Sequence, residues 1–509
     1  MLHESRKILS GSFLRSFNFF MQLVVSFFLM PFIVHSLGDR LYGVWSLISV
    51  FLGYYGLIEF GIAAATERYL SAALGAQDYE ECNRVFNSAL LIFIGLGGFA
   101  FMLSCISAGL APLLFKESEE AFLFRKIILI LGMNTLIDFP GRALIGAITA
   151  QLRHDILALV EIGTLVLRTI LIVWALNAGY KILGLAWITF LANIPEKLLF
   201  IYFAKKNLPS LRFDVQYFLG KTTKTLFSYS IFKFICQIAE ILKFKLDEFV
   251  ITISIGLTAV THYHIASQLS LYFIQLITSS MVMLKPIFSK YDGANDRKSI
   301  QKTFLSGTKL SVYLSSFISF SLITLGKPFI HRWMGQAYLD AYPALFLLCV
   351  GCTFSLWQIP SVFLMYGISK HRFYAFLSLA EGVCNLLLSL FFVRHLGITG
   401  VALGTLIPMI MVKLVIQPIY VCRIISIKYT DYLLLMAKSV MIVLLSLILP
   451  FFISLRYAMP DYLSLSTAVV TSGFCYCSFL WLWGLEPKEK NIFRQAIISN
   501  SLRRESCIT

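Results

Sequence analysis

The stretch SKYDGANDRKS, residues 289–299, is a charged island between two long apolar runs. Its core GAND, residues 293–296, repeats the GAQD of residues 75–78 at an offset of 218 positions (293 − 75 = 218). A polar loop that recurs at a fixed distance predicts that the apolar segments around it are repeated too.

The composition is that of a membrane protein. The chain has 509 residues, of which 58% are hydrophobic and only 14% charged, whereas soluble domains carry about 25% charged residues. Apolar windows of roughly 20 residues, long enough to cross a bilayer, fill almost the whole sequence. We therefore predict an all-α polytopic membrane protein with about 14 transmembrane helices, placed near 13–35, 41–65, 85–115, 121–149, 156–178, 182–204, 226–253, 258–284, 303–326, 343–367, 374–394, 397–422, 431–455 and 462–484.

The repeat predicts how these helices are grouped. Gly38 matches Gly256 at the same offset, and Glu161 matches Glu381 at an offset of 220. Residues 1–210 and 211–425 are expected to form two six-helix lobes, and residues 426–509 two further helices and a tail. Because each repeat has an even number of helices, both have the same orientation in the membrane, as in transporters with parallel repeats.

The net charge of +16 is distributed unevenly. Lysine and arginine crowd into every second loop and into the C-terminal tail, and the alternate loops hold few of them. This is the positive-inside pattern. It predicts that both termini and both GA(Q/N)D loops are cytoplasmic, and it argues against nucleic acid as the partner of the positive charge.

Polar stripes mark several of the predicted helices. Lys233, Gln237, Glu240 and Asp247 share one arc of 226–253, while Lys245 and Glu248 are expected to reach towards the outer surface. The same kind of stripe carries Arg15, Asn18 and Gln22 on the first helix and His264, Gln268, Tyr272 and Gln275 on the eighth, and Glu59 lies on the second. Such stripes line a water-filled cavity or form hydrogen bonds between helices, and the sequence leaves both interpretations open.

Further charges lie on the fourth, fifth and eleventh helices. Asp138 and Arg142 are four residues apart and are expected to pair. Glu161 and Arg168 share a face, and Glu381 repeats Glu161. These acids either bind a coupling cation or pair with a neighbouring base. Lys197 and Lys413 are expected to extend to the membrane surface.

The chain resembles polysaccharide-biosynthesis flippases of the O-antigen type, in the multidrug/oligosaccharidyl-lipid/polysaccharide (MOP) exporter superfamily that also contains multidrug (MATE) exporters and the lipid II flippase. The resemblance covers essentially all of the chain and is carried by SLGDRLYGVWSLISVFLGYYGLIEFGIAAATERYLSAALG at 36–75, KLDEFVITISIGLTAVTHYHIAS at 245–267 and FIHRWMGQAYLDAYPALFLL at 329–348. It implies a two-lobed fold with alternating access, a cationic cavity and an undecaprenyl-pyrophosphate-linked oligosaccharide as passenger.

We expect the passenger to be anionic, because arginine and lysine bind phosphate strongly. The candidate cavity residues are Arg15, Gln22, Arg142, Arg168, Lys233, Gln237, Gln268, Tyr272 and Gln275. The candidates for binding a coupling proton or sodium ion are Glu59, Asp138, Glu161, Glu240, Asp247 and Glu381. No other cofactor is expected. A polysaccharide polymerase and a chain-length regulator are candidate partners beside membrane lipid and the lipid-linked oligosaccharide, and the expected location is a bacterial inner membrane.

Three rival functions have different requirements. A MATE-like cation-coupled antiporter would favour acids over bases in its cavity. A polysaccharide polymerase or ligase would need catalytic side chains on a sizeable outer loop, and the predicted outer loops are short. The sequence contains no GxxxxGK(S/T) phosphate-binding loop, so ATP hydrolysis by this chain is not expected. A structural scaffold would gain nothing from charges placed in the membrane.

Overall fold

The computed structural model describes residues 2–59, 61–114, 118–151, 153–218, 245–368, 370–456 and 461–487, and also residues 220, 222–223, 226, 234, 237–238, 241–242 and 490. Among these residues the secondary structure is helical, which confirms the predicted all-α class. Two compact units are present: residues 1–264 with 378–386, and residues 265–377 with 387–509.

The first unit is built from helices that begin at the N-terminus. They are α1 (Leu2–Leu37), α2 (Asp39–Ile58), α3 (Ile62–Gly75), α4 (Tyr79–Leu114), α5 (Ser118–Ala150), α6 (His154–Asn177), α7 (Lys181–Asn207) and α8 (Leu246–Ser254), followed by the start of α9 (Leu257–Met281). Its core is apolar and includes Phe86, Phe93 and Phe200, each with no exposed surface. Burial of such side chains from α3, α4, α5 and α7 holds these helices together.

The second unit continues from α9. It contains α10 (Leu284–Gly293), α11 (Arg297–Trp333), α12 (Ala341–Trp357), α13 (Ile359–Gly367), α14 (His371–Ile410), a π-helical turn (Met411–Ile416), α15 (Gln417–Ile424), α16 (Tyr429–Arg456) and α17 (Tyr462–Phe479). A separate core joins these helices through Phe288, Phe304 and Tyr432. Large apolar side chains such as Phe474, 75% exposed, lie on the outside, where a membrane protein meets lipid.

Membrane-spanning helices are abundant. Ten helices of the described chain are long and apolar enough to cross a membrane, or eleven if α12 and α13, which meet at a 40° bend, form one span. Gly397 interrupts α14 with non-helical dihedrals, where the sequence predicts a boundary between 374–394 and 397–422. This chain is a multi-pass membrane protein, and the number fourteen stays a prediction.

The structure differs from the predicted helix bounds around α2 and after α9. Residues 41–65 form α2 and α3, which are separated at Gly61, a glycine with a φ of 73° that side chains rarely adopt. The segment 285–302, predicted to be loop, contains nearly all of the short helix α10. Hydropathy did not reveal the break between α2 and α3, because most residues of 41–65 are apolar.

The two polar loops of the repeat have the same backbone. Asp78 accepts a hydrogen bond from the N–H of Glu81 at 2.9 Å, and Asp296 accepts one from the N–H of Ser299 at 3.0 Å. Each aspartate therefore caps the helix that follows it, and hydrogen bonds from Ser299 hold the pKa of Asp296 below its usual value. Positive φ angles also recur at an offset of 218 (256 − 38, 295 − 77 and 397 − 179), at Gly38 and Gly256, Gln77 and Asn295, and Gly179 and Gly397.

Candidate functional site

A cavity of about 330 Å³ opens inside the first unit, among α1, α3, α5 and α6. It joins segments that are up to 146 positions apart in the sequence (161 − 15 = 146). The residues around it are Arg15, Asn18, Phe19, Gln22, Glu67, Ile145, Thr149, His154, Leu157, Ala158 and Glu161. Three of the predicted site residues, Arg15, Gln22 and Glu161, thus lie in one cavity.

One face of α1 supplies the polar wall of this cavity. Arg15, Asn18 and Gln22 follow one another at helical spacing, so their side chains project to the same side. Asn18 donates to Glu161 Oε2 at 2.5 Å, and Gln22 donates to Asn18 at 3.4 Å. Because Asn18 is buried, its amide fixes the position of the Glu161 carboxylate and joins α1 to α6.

Arg15 is the arginine that lines this cavity. Its side chain is exposed, and it forms no hydrogen bond or ion pair with any residue that the structure describes. Glu67, Glu161 and His154 share the cavity with it. The described lining thus holds one arginine, one histidine and two carboxyl groups, which makes it amphoteric rather than simply basic.

Sequence reasoning missed Glu67 and His154. Both lie outside the predicted helices: Glu67 follows the predicted end of 41–65 and is in the middle of α3, and His154, the first residue of α6, precedes the predicted start at 156. The glycine at position 61, read as a helix break, would have identified α3 as a separate amphipathic helix with Glu67 on its polar face.

Arg142 is held by an ion pair inside the first unit. Its guanidinium forms an ion pair with Glu59 and lies 4.8 Å from the centre of the Phe139 ring. Glu59 is only 8% exposed and follows the last residue of α2. The predicted pairing of Arg142 with Asp138 is therefore wrong, because the break after α2 brings a closer carboxylate to the arginine.

Asp138 forms its ion pair with Lys197 and not with Arg142. Lys197 Nζ lies 3.0 Å from Asp138 Oδ1 and 2.7 Å from Glu196 Oε1. Lys197 is 8% exposed, so the predicted extension of its side chain to the membrane surface is wrong. Two carboxylates inside the unit are a better partner for the ammonium group than a long reach through lipid.

A second polar cluster joins α2, α8 and α9, and the sequence placed its central residue wrongly. Glu248, expected to reach the outer surface, is 6% exposed. Ser46 donates to Glu248 Oε2 at 2.5 Å, and His264 Nδ1 lies 2.7 Å from Glu248 Oε1 and 2.9 Å from Ser46 Oγ. We call Ser46, Glu248 and His264 the buried triad. One imidazole nitrogen faces both other groups, so the triad cannot pass a proton from nucleophile to acid as hydrolases do.

Asp247 lies next to the buried triad in the sequence but has a different environment. It is 4% exposed and accepts a hydrogen bond from Tyr263 at 2.6 Å. This bond joins α8 to α9.

The other predicted residues are distributed over both units. Gln268 and Tyr272 are half-buried on α9 in the second unit, and Gln275 on the same helix is exposed. Arg168 is half-buried on α6, and no described residue forms a hydrogen bond or ion pair with it. Glu381 is buried, Gln237 is half-buried, and Lys233 and Glu240 lie outside the described residues.

Lys413 in the second unit differs from its sequence-based prediction. It is 3% exposed, lies in the π-helical turn and donates to Gln417 at 3.0 Å. The predicted extension to the membrane surface is therefore wrong here as well.

Comparison with known families gives one match over most of the chain. The sequence model of a family described as "Polysaccharide biosynthesis protein" matches residues 37–343. The chain is 22% identical over 488 residues to the uncharacterized membrane protein EpsK of Bacillus subtilis strain 168, covering 93% of this chain and 95% of that protein. It is 20% identical over 430 residues to a putative O-antigen transporter of Shigella flexneri, covering 81% and 97%.

Solved structures share the fold. An inward-facing MATE-family multidrug resistance transporter of the MOP superfamily has a TM-score of 0.71 at 16% identity and covers 79% of this chain and 94% of its own. The lipid II flippase MurJ, in an inward closed conformation, has a TM-score of 0.69 at 16% identity and covers 95% and 99%. These proteins are named as transporters or flippases, not as enzymes.

Proposed function

This chain belongs to the polysaccharide biosynthesis protein family, and we propose that it is a transporter of the MOP superfamily that moves a lipid-linked oligosaccharide across a bacterial inner membrane. The carrier lipid would be undecaprenyl pyrophosphate and the glycan a repeat unit of O-antigen, capsule or exopolysaccharide. The relative named as a putative O-antigen transporter supports this choice of passenger.

The observation that carries the proposal is the position of Arg15 in a cavity, without a hydrogen bond or ion pair to a described residue. A guanidinium that forms no hydrogen bond or ion pair with the described residues is costly in a membrane protein unless it meets water or an anion. Arg15 lines a cavity with polar neighbours, and arginine binds phosphate with two parallel hydrogen bonds. Arg15 is therefore the first candidate for contact with the pyrophosphate, with Arg168 next. Arg142 is a weaker candidate because Glu59 already occupies it.

We propose the following arrangement around this site. Residues 1–210 and 211–425 form the two lobes, which alternate access, and 426–509 add two helices and a tail. Lys233, Gln237, Gln268, Tyr272 and Gln275 complete the passenger site with Gln22. Both termini are cytoplasmic, and a polymerase and a chain-length regulator act on the passenger after export.

A second candidate function is supported by the acids of the cavity. Glu67 and Glu161 share it with Arg15, and a cation-coupled drug antiporter of the MATE type would use carboxylates there. Dye efflux from cells separates the two functions. A drug antiporter loses efflux when Glu161 is changed to Gln, whereas a glycan flippase gives no efflux with either residue.

The test of the proposed function is the surface glycan of a strain that lacks the gene. We expect surface polysaccharide to disappear and lipid-linked repeat units to accumulate on the cytoplasmic side. Complementation with Arg15→Ala should restore little glycan, Arg15→Lys more, and the matched control Arg84→Ala as much as the wild type, because Arg84 is bound to Glu80 on the surface. Intact glycan in the deletion strain, with no paralogue present, would refute the function. Full complementation by Arg15→Ala would refute the assignment of Arg15.

A further inference from the structure

The segment that follows α7 is held on α4 by two asparagine side chains. Asn83 donates to the Ser210 carbonyl oxygen at 3.1 Å and accepts from the N–H of Arg212 at 2.7 Å. Asn87 donates to the Arg212 carbonyl oxygen at 2.8 Å and accepts from the N–H of Asp214 at 3.0 Å. We call residues 208–214 the strap. Alternate residues of the strap thus pair with the two amides, much as alternate residues of a β-strand pair with a neighbouring strand.

These contacts make the strap a fixed part of the first unit. Asn83 and Asn87 are only 5% and 3% exposed, and a buried amide is stable where its hydrogen bonds are made. Leu211 belongs to the apolar core of the unit. The Phe213 ring lies 5.2 Å from the Phe86 ring, edge to face. The backbone of the strap is therefore held from both sides of Arg212.

Three basic residues lie at this end of α7 with exposed side chains. Lys205 and Lys206 are in the last turn of the helix, and Arg212 is on the strap. Lys205 Nζ lies 4.9 Å from the centre of the Phe213 ring, which connects the helix end to the strap. None of the three forms an ion pair with a residue that the structure describes. Lysines in a last turn stabilise the helix carbonyl groups, but Arg212 lies beyond that turn.

Acidic residues are scarce around the strap. Residues 197–239 contain seven basic residues and one acid, Asp214. Asp155, at the start of α6, forms an ion pair with Arg153, which also donates to Asn207 at the end of α7. The excess of positive charge at this end of the first unit therefore follows from the sequence itself.

This end of α7 also lies at the edge of an apolar span. Lys181–Asn207 is long and apolar enough to cross a membrane, so we expect its last turn at the level of the lipid headgroups. Tyr202 and Phe213 are 55% and 41% exposed, and aromatic side chains are common at that level. The positive-inside pattern predicts the cytoplasmic leaflet here, which is the leaflet that carries anionic lipid.

We propose that Arg212, Lys205 and Lys206 bind the phosphate of an anionic phospholipid. The guanidinium supplies a planar fork for two phosphate oxygens, and the two ammonium groups supply compact charges. Phe213 and Tyr202 contact the apolar part of the same lipid. This site goes beyond the proposed transport of a glycan and does not rest on it.

Asn83 and Asn87 are positioning residues of this site. They hold the Arg212 backbone through its N–H and its carbonyl oxygen. Because that part of the chain is already ordered, less conformational freedom is lost when the lipid binds. A merely positive surface would gain nothing from this order.

The test is native mass spectrometry of the full-length protein in detergent, titrated with phosphatidylglycerol or with phosphatidylcholine of the same acyl chains. We expect phosphatidylglycerol to bind about fivefold or more tightly than phosphatidylcholine. Arg212→Gln and Lys205→Gln should each weaken phosphatidylglycerol binding by about fivefold, since one basic residue near an anionic surface contributes about 1 kcal/mol. Phosphatidylcholine binding should stay unchanged in both variants.

Lys126→Gln is the matched control for charge. Lys126 Nζ lies 4.2 Å from the centre of the Phe122 ring, so this lysine is stacked on an aromatic ring as Lys205 is. It lies 24 residues before the end of α5 (150 − 126 = 24), roughly 36 Å along the helix from the turn that carries Arg153. Its loss should leave phosphatidylglycerol binding at the wild-type affinity.

Asn87→Ala separates a positioned site from general attraction to positive charge. The variant keeps every charge but releases the Arg212 carbonyl oxygen, so we expect phosphatidylglycerol binding to weaken by about threefold. Asn193→Ala is its control, because it removes another buried amide of the first unit, bonded to Asn134 at 2.9 Å. Position 193 is 14 residues before the end of α7 (207 − 193 = 14), and the control should bind this lipid as the wild type does.

The outcomes decide the proposal. Equal affinities for the two lipids would overturn it, as would a preference for phosphatidylglycerol that survives in both Arg212→Gln and Lys205→Gln, or an equal loss in Lys126→Gln. Unchanged binding in Asn87→Ala would overturn the positioning role; if that variant does not fold, as judged by size-exclusion chromatography, the exposed charge variants still decide.

A competition experiment identifies the source of the phosphate. Undecaprenyl pyrophosphate at equal concentration should leave most of the phosphatidylglycerol bound to the wild-type protein. Complete displacement would assign the site to the carrier lipid and overturn the phospholipid. Because these measurements contain no glycan, their failure would leave the proposed passenger transport to its own test in the deletion strain.

Discussion

Replacing Glu59 with Gln tests whether the ion pair with Arg142 holds α2 to α5. Removing one partner of a fully buried pair costs about 3–5 kcal/mol, and an exposed pair contributes about 0.2–1 kcal/mol. The Glu59 side chain is 11% exposed and that of Arg142 27%, so the pair lies between these limits. We expect Glu59→Gln to lower the free energy of unfolding by about 2–3 kcal/mol, mostly because Arg142 is left without its counter-charge.

The assay is a double-mutant cycle of Glu59→Gln and Arg142→Gln, with unfolding followed by SDS titration of the purified protein in mixed micelles. The contact of Arg142 with the Phe139 ring is lost in both arms that carry Arg142→Gln, so it cancels. Glu120→Gln is the matched control and should cost about 1 kcal/mol or less, because its partner Arg40 has a side chain that is 49% exposed. A coupling energy below about 0.5 kcal/mol would refute the reasoning and would return Arg142 to the candidates for passenger binding.

Two other substitutions test the packing of the first unit. Gly43→Ala should destabilise the protein, because its methyl group would lie 2.3 Å from the Leu257 carbonyl oxygen. Gly56→Ala on the same helix meets nothing within 4 Å and should be neutral or slightly stabilising, and equal thermal stability of the two variants would contradict this reasoning. Asn83→Ala should speed tryptic cleavage after Arg212. The Asn83 side chain accepts a hydrogen bond from the N–H of Arg212 at 2.7 Å and so holds the segment that follows α7. An unchanged cleavage rate would show that other contacts hold this segment.

The polar elements of the sequence predicted more of the structure than the apolar ones did. The GAQD and GAND loops were predicted as equivalent from their letters, and their aspartates cap the next helices in the same way. Gly38 and Gly256 were matched by position, and both have a positive φ. Loops of this kind depend on residues a few positions apart, so local sequence specifies them.

Site residues were predicted where they share one helix. Arg15 and Gln22 were placed together because helical spacing puts them on one face, and both line the cavity. The partners of Arg142 and Lys197 were wrong, because those partners come from other helices or from the break after α2. Glu248 was expected outside for the same reason: its position on one helix does not reveal that Ser46 and His264 surround it.

The sequence by itself determined that this chain crosses the membrane many times, that its GAQD and GAND loops recur at an offset of 218, and which predicted helices carry charged residues. These properties follow from composition and from local spacing, because the hydrophobic effect depends on composition and the hydrogen bonds of a helix depend on residues close in sequence. Only the tertiary structure decided which charges neutralise one another and which remain open to a cavity. That outcome depends on distances between helices far apart in the chain, and a shift of a few ångströms there separates an ion pair from a binding site.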